Sequence, residues 1–303
     1  MSTVFLIAAV ALIVMAPAAN AQQSFRTPEE AADALVAAAR RGDSNGMLKV
    51  LGSSGEDIVS SGDAVADSAT RERFLAAFDT RHQVTVDGGK ATLMVGAEDF
   101  PFPIPLVKKD GQWRFDTTAG RREIVYRRIG RNELDAIQSS LAYVDAQSDY
   151  AEKDRTGAGR GIYAQRFISS EGKKDGLYWP ISKGDDPSPL GALVGLATRE
   201  GYRITGERTP LRGYYYKILT RQGPAAPGGA LDYVVNGKMI GGFALVAYPA
   251  EYGNSGVMTF LVSHGGKVYE KDLGLETAKI AAQMTSFNPD HTWKEVASPE
   301  QSQ

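Results

Sequence analysis

The sequence predicts an α+β protein: small N-terminal helices plus an antiparallel sheet, then a long helix packed on a second antiparallel sheet. Three observations carry this prediction. Residues 27–78 hold helix starts and apolar stripes at helical spacing. Residues 83–116 switch to short alternating runs separated by glycine turns. From Ile124 to Lys153 runs the longest helical stretch, and glycine-bounded apolar runs follow it.

The amino terminus stands apart from this pattern. Val4 to Met15 is an apolar run of signal-peptide length, and Ala19-Asn20-Ala21 is an A-x-A site before Gln22-Gln23. A signal peptide over residues 1–21, cleaved after Ala21, is therefore expected, with a bacterial periplasmic or secreted location. The run is shorter than the ~20 apolar residues that span a bilayer, so no membrane span is expected after cleavage. The chain has no cysteine, which excludes disulfides and a lipidated cysteine; a chain of 303 residues can bury enough surface to hold without such staples. Hydrophobic content of 43% is that of a globular protein, and the net charge of −2 argues against a nucleic-acid partner.

An N-terminal α+β domain is expected over residues 22–120. Thr27-Pro28-Glu29-Glu30 is a helix start: an N-cap threonine, proline at the first position, and carboxylates at the positive end of the helix dipole. Ala31, Leu35, Val36 and Ala39 share one face, and Gly42 ends the helix. Met47 to Leu51 reads as a second helix and Ala69 to Phe78 as a third. Strands are expected at Gln83 to Val86, Ala91 to Val95, Ile104 to Lys108 and Trp113 to Asp116. Asp87-Gly88-Gly89 and Lys109-Asp110-Gly111 turn between them. Pro101, Pro103 and Pro105 require the third segment to lie at an edge or follow a bulge. The order is similar to cone-shaped folds of the nuclear-transport-factor-like type.

A second domain is expected over residues 121–297, with a frayed polar tail at 298–303. In its long helix, Leu134, Ile137, Leu141 and Val144 repeat at three and four residues and predict the buried seam. Arg121, Arg122, Arg127, Arg128 and Arg131 read as a solvated face. Pro189 to Glu200 is a small amphipathic helix, and Gly213 to Leu219 a strand with aromatics on both faces. Phe243 to Tyr248 reads as a strand buried on both sides, paired with Val257 to Ser263 across the Pro249 to Gly256 loop. His264-Gly265-Gly266-Lys267 turns into a strand at Val268 to Lys271, and Thr277 to Met284 is a short helix.

The Arg-Asn-Glu-Leu, Gly-Tyr-Tyr-Tyr, Gly-Gly-Phe-Ala-Leu-Val-Ala-Tyr-Pro-Ala-Glu-Tyr-Gly and Lys-Asp-Leu-Gly runs between Ile124 and Trp293 resemble the bacterial domain-of-unknown-function family 2950. That resemblance implies an exported bacterial protein and brings no activity or site residues. The amphipathic helix from Asn132 to Lys153, a Gly-Tyr strand and the Tyr-Pro-Ala-x-x-Gly-x-Ser-Gly hairpin also resemble the globular head of pseudopilins. A pseudopilin helix starts as an apolar membrane segment at the mature terminus. Here the helix is charged and starts after residue 120, so only the head fold is implied.

Catalytic motifs fail on context. His82, His264 and His291 are scattered, and no metal or other cofactor is expected. Gly253-Asn254-Ser255-Gly256-Val257 lacks the second glycine of a nucleophile elbow and joins strand to strand. Ser170-Glu171-Gly172-Lys173 matches S-x-x-K, but Gly172 opposes the helix that pairing needs. Glu251 and Asp272 are the best carboxylate pair, equally explained as turn charges. The dense tyrosines offer a stacking surface instead. The expected binding residues are Tyr214, Tyr216, Tyr248, Glu251, Tyr252 and Asn254, and the expected partner is an envelope protein, a peptide or a glycan. The oligomeric state has no signature here. A non-catalytic binding or scaffolding module is the first reading. The second is a periplasmic hydrolase or small-ligand-binding protein, with its site in the N-terminal domain or at the domain interface. A polar pocket with perturbed pKa values would mark an enzyme; an open sheet edge would mark a binding module.

Overall fold

The computed structural model describes residues 22–181, 184–203 and 209–297. The expected signal peptide and the polar tail lie outside the described residues. What is described is an α+β chain with a long helix and several antiparallel sheets.

The first helices start where their caps are, earlier than their apolar stripes suggest. Helix α1 (Pro28–Arg40) begins at Thr27, whose hydroxyl accepts from Glu30 N at 3.1 Å. Asp43 caps α2 (Ser44–Leu51), and Asp63 caps α4 (Ala64–Thr80), with the short α3 (Glu56–Val59) between them. The Met47 and Ala69 starts expected from periodicity are thus corrected: a side-chain acceptor for the free N–H groups sets the boundary.

Strands β1 (His82–Asp87), β2 (Lys90–Val95), β3 (Phe100–Pro101), β4 (Leu106–Lys109) and β5 (Gln112–Phe115) form one antiparallel sheet. β2 pairs first with β3 and then with β4, so the chain breaks across its prolines as their missing donors require. Leu35, Leu51, Ile104, Leu106, Trp113 and Phe115 fill the core between this sheet and α1 and α2.

Helix α5 (Thr117–Glu152) runs 36 residues from its Asp116 cap and belongs to both halves. The boundary expected at residue 120 falls inside its first turn. At Gly120 the helix meets the connection between β3 and β4 backbone to backbone, since a Cβ there would lie 2.7 Å from Ile104 Cα. The seam is corrected in part: Ile137, Leu141 and Val144 pack partly buried against the core, but Leu134 does not. Leu134 is 66% exposed, whereas Asn132, Ala136, Ser139, Ser140, Tyr143 and Gln147 are buried. Small and hydrogen-bonded residues win this face because it abuts backbone. Tyr143 Oη donates to Ala244 O, and Gln147 exchanges two bonds with the backbone of Ala164.

Past α5 come α6 (Gly191–Arg199), β6 (Tyr214–Leu219), β7 (Arg221–Gln222), β8 (Leu231–Asp232), β9 (Val234–Val235) and β10 (Lys238–Met239). The glycine-bounded stretch supplies β11 (Ala244–Pro249), β12 (Met258–Ser263) and β13 (Val268–Asp272). Helix α7 (Thr277–Gln283), β14 (Ser286–Phe287) and β15 (Lys294–Glu295) close the chain. The main sheet has the order β15-β13-β12-β11-β6 and is antiparallel throughout. β11 is buried at every residue, as its unbroken apolar run demands, with α5 on one side of the sheet and α7 on the other. β14, β7 and β8 form a separate small sheet, and β9 and β10 a hairpin. Among the described residues no helix is long and apolar enough to cross a membrane.

Candidate functional site

The sequence Tyr-Tyr-Tyr-Lys-Ile-Leu of β6 lies at the end of the main sheet, and strand alternation sends its side chains to both faces. A cavity of about 810 Å³ wraps around this edge. On the α5 side it is walled by Tyr216, Ile218 and Leu245 with Ser139 and Tyr143. On the α7 side it meets Tyr215, Lys217, Tyr248 and Ala282. The outer wall is apolar, formed by Leu190, Leu193, Val194 and Ala197 from α6 and its approach, together with Phe167, Ile168 and Tyr178. Its volume and lining are those of a small-ligand or peptide pocket.

The electrostatics of this groove are one-sided. Arg166, Arg203 and Lys217 line it, and no carboxylate stands among its described lining residues, although the chain as a whole is acidic. Lys217 Nζ donates to Ala282 O and Met284 O at 2.6 Å each, so its charge sits at the negative end of α7. Arg166 donates to Ser170 Oγ at 2.7 Å and lies 3.8 Å from Asp175. The Tyr216 hydroxyl is buried beside Ser139, and burial raises its pKa.

The expected binding residues divide among three places. Tyr216 and Tyr248 line the groove, Tyr248 only 1% exposed. Tyr214 is fully buried, donates to Met258 O at 2.9 Å, and packs so closely on Gly256 that a Cβ there would collide with its ring. Buried as they are, Tyr214 and Tyr248 belong to the core rather than to an open stacking surface. Tyr252 Oη donates to Asp272 Oδ2 at 3.2 Å, and that carboxylate raises the phenol pKa. Glu251 and Asn254 face the N-terminal half: Asn254 Nδ2 donates to Glu251 Oε2 at 2.7 Å and to Ser60 O at 3.0 Å. The loop from Tyr248 to Gly256 therefore works as an internal clasp.

That clasp is built on α5. Arg128 donates to Asp57 O, Ile58 O and Asn254 Oδ1, Asn132 donates to Ser255 O, and Glu133 Oε1 accepts from Val257 N and Met258 N. Arg128, read from sequence as solvated, is thus corrected to a partly buried cross-brace. Beside it, Asp63 reaches past its capping bond to accept from Tyr202 Oη and Gly213 N, both at 2.8 Å. Tyr202 Oη in turn accepts from Arg212 N at 3.0 Å. Gly213 is the residue before β6, so the cap of α4 also positions the strand that edges the groove. No spacing in the sequence announces these contacts.

A polar cleft of about 350 Å³ opens between the halves here, lined in part by Asp67, Arg128, Asp135, Tyr202 and Arg212. Burial raises the Asp67 carboxyl above its ordinary range, against two hydrogen bonds from Ser61 and the Arg128 charge. A carboxyl whose folded pKa is raised binds more protons folded than unfolded. Stability from this group is therefore gained as pH falls through the folded pKa toward the ordinary Asp value, and lost as pH rises again. Asp67→Asn keeps an acceptor for the Ser61 N–H, lets the Ser61 hydroxyl accept from the new amide instead of donating, and removes the titration. The parent is expected to gain stability relative to this variant between neutral pH and about pH 4, measured by urea unfolding. A difference that stays flat with pH would show that Asp67 does not titrate abnormally.

A family model described as a protein of unknown function (DUF2950) matches residues 22–296. No curated protein and no solved structure matches the chain.

Proposed function

Because the chain belongs to the DUF2950 family, whose description assigns no activity, we propose its function from its own geometry: an exported binding module of the cell envelope, whose ligand seats in the groove along β6. The observation that carries this reading is the cavity of about 810 Å³, apolar on most sides, whose charged residues among those described are all cations. Such a lining captures a ligand by burial and orients it with a few charges. Its described lining includes tyrosines as well as Arg166, Arg203 and Lys217.

Export is supported by the apolar run ending at Ala19-Asn20-Ala21 and by a family match that begins at residue 22. The long helix laid across an antiparallel sheet supports the likeness to a pseudopilin head, as a way of holding a binding sheet rigid. The polar cleft between the halves favours the enzyme reading less. The carboxylates that line it are each committed to a partner, Asp67 to the Ser61 N–H and hydroxyl and Asp135 and Glu200 to Arg212.

The test uses anilinonaphthalene sulfonate, an aromatic anion whose emission shifts blue in apolar sites. The purified protein is expected to bind it saturably. Leu193→Trp, which fills the groove from its partly exposed wall, should weaken binding about tenfold or more, with circular dichroism and thermal melting confirming the fold. Arg166→Gln with Arg203→Gln should weaken it while leaving the groove open. Absence of saturable binding to the folded parent would sink the proposal.

A further inference from the structure

We infer that the groove takes an extended peptide as an added strand on β6, with an anionic group of that peptide directed at Arg166 and Arg203. This deepens the binding-groove reading and rests on it.

The register decides which backbone groups of β6 are free. Ala250 N donates to Gly213 O, which makes the pair of those residues hydrogen-bonded. Along the same antiparallel ladder Tyr215, Lys217 and Leu219 then face Tyr248, Val246 and Ala244 in hydrogen-bonded pairs. His264 N donating to Phe243 O gives the same phase from the other side of β11, whose odd residues face β12. Tyr214, Tyr216, Ile218 and Thr220 therefore turn their backbone groups outward. Tyr214 is closed by its two bonds with Leu211, while Thr220 donates to Thr285 O and accepts from Tyr233 N. Between these ends, the N–H and C=O of Tyr216 and Ile218 face the groove, and no strand among the described residues pairs with them.

An open edge is ordinarily covered or charged to prevent pairing with another chain. Among the described residues no strand pairs with this edge, and Lys217, the one charge within β6, is turned to the carbonyls of Ala282 and Met284, so the edge forms the floor of an apolar trough. Two outward residues offer two donors and two acceptors in the phase that an added strand uses, and side-chain pockets lie on both faces of β6. A small amphiphile would fill the trough but leave those four backbone groups unpaired. The excess of cations over carboxylates in the lining selects an acidic peptide or a free C-terminal carboxylate.

A synthetic pool of hexapeptides alternating apolar and polar residues, each with a free C-terminal carboxylate, is the probe. The pool is expected to displace bound anilinonaphthalene sulfonate and to slow amide exchange at Tyr216 and Ile218. N-methylation of the residues that face β6 should weaken a selected peptide about tenfold per bond lost, and methylation of the alternate residues should not. C-terminal amidation should weaken it as well, and Arg166→Gln with Arg203→Gln should erase that difference. If dodecanoate displaces the dye while the peptides neither displace it nor protect Tyr216 and Ile218, strand addition is overturned and the groove reading stands. If the folded protein does not bind the dye, the groove reading fails and strand addition fails with it.

Discussion

Replacing Asp63 by alanine is expected to destabilise the protein by about 3–5 kcal/mol, from a lost helix cap and stranded buried donors. Asp63 is 1% exposed, and its carboxylate serves Ala66 N, Tyr202 Oη and Gly213 N together. Alanine leaves two donors from the C-terminal half without an acceptor, in a place water does not reach. The loss should also loosen the turn that starts β6, where Arg212 holds a left-handed φ of 51°. Dye affinity in the groove should therefore fall beyond what the stability change explains. Asp63→Asn keeps the cap through Oδ1 but puts its amide nitrogen where Oδ2 accepted from both Tyr202 Oη and Gly213 N, so an intermediate loss is expected. Urea unfolding at neutral pH measures all three proteins. A loss below about 1 kcal/mol for the alanine variant would show that Asp63 merely caps α4.

Arg128→Met comes second, with an expected cost of about 3 kcal/mol from removing a partly buried charged donor that serves three acceptors. Methionine preserves most of the stem volume, so the effect reports the guanidinium rather than packing. The carbonyls of Asp57 and Ile58 and the amide oxygen of Asn254 lose their donor together. Since these acceptors come from both halves, the variant should also be cut faster by protease between the N-terminal helices and the β11–β12 loop. Combining it with Asn254→Ala should cost less than the sum of the two single changes, because both break one network. Strict additivity would mean that Arg128 and Asn254 act separately.

Much of the fold was legible because its causes are local. The Thr27-Pro28-Glu29-Glu30 start, the glycine turns at Gly88 and Gly111 and the proline break before β4 each follow from one or two residues' own conformational limits. The β11 run is apolar at six consecutive positions, which only a strand buried on both faces requires. The candidate site was legible only in part. Tyr216 and Tyr248 line the groove from opposite faces of the sheet, yet Tyr248, like Tyr214, is buried in the core, and alternation alone cannot say which side of a sheet is open. The seam of α5 was misjudged at Leu134 because aliphatic periodicity assumes an apolar neighbour. Here the face meets backbone as well as aromatic rings, and Tyr143 and Gln147 bond the carbonyls of Ala244 and Ala164 while the Tyr143 ring packs on Phe243.

By itself, then, the sequence determined most of the longer elements and the interior position of β11, since propensity, capping and burial period act within a few residues. Only the tertiary structure decided that Asp63 would hold Gly213 across 150 positions, that Arg128 would brace both halves, and that β6 would be left as an edge beside α6. Those outcomes depend on which surfaces meet, and a carboxylate or arginine reads the same in the chain whether its partner is water or a distant backbone amide.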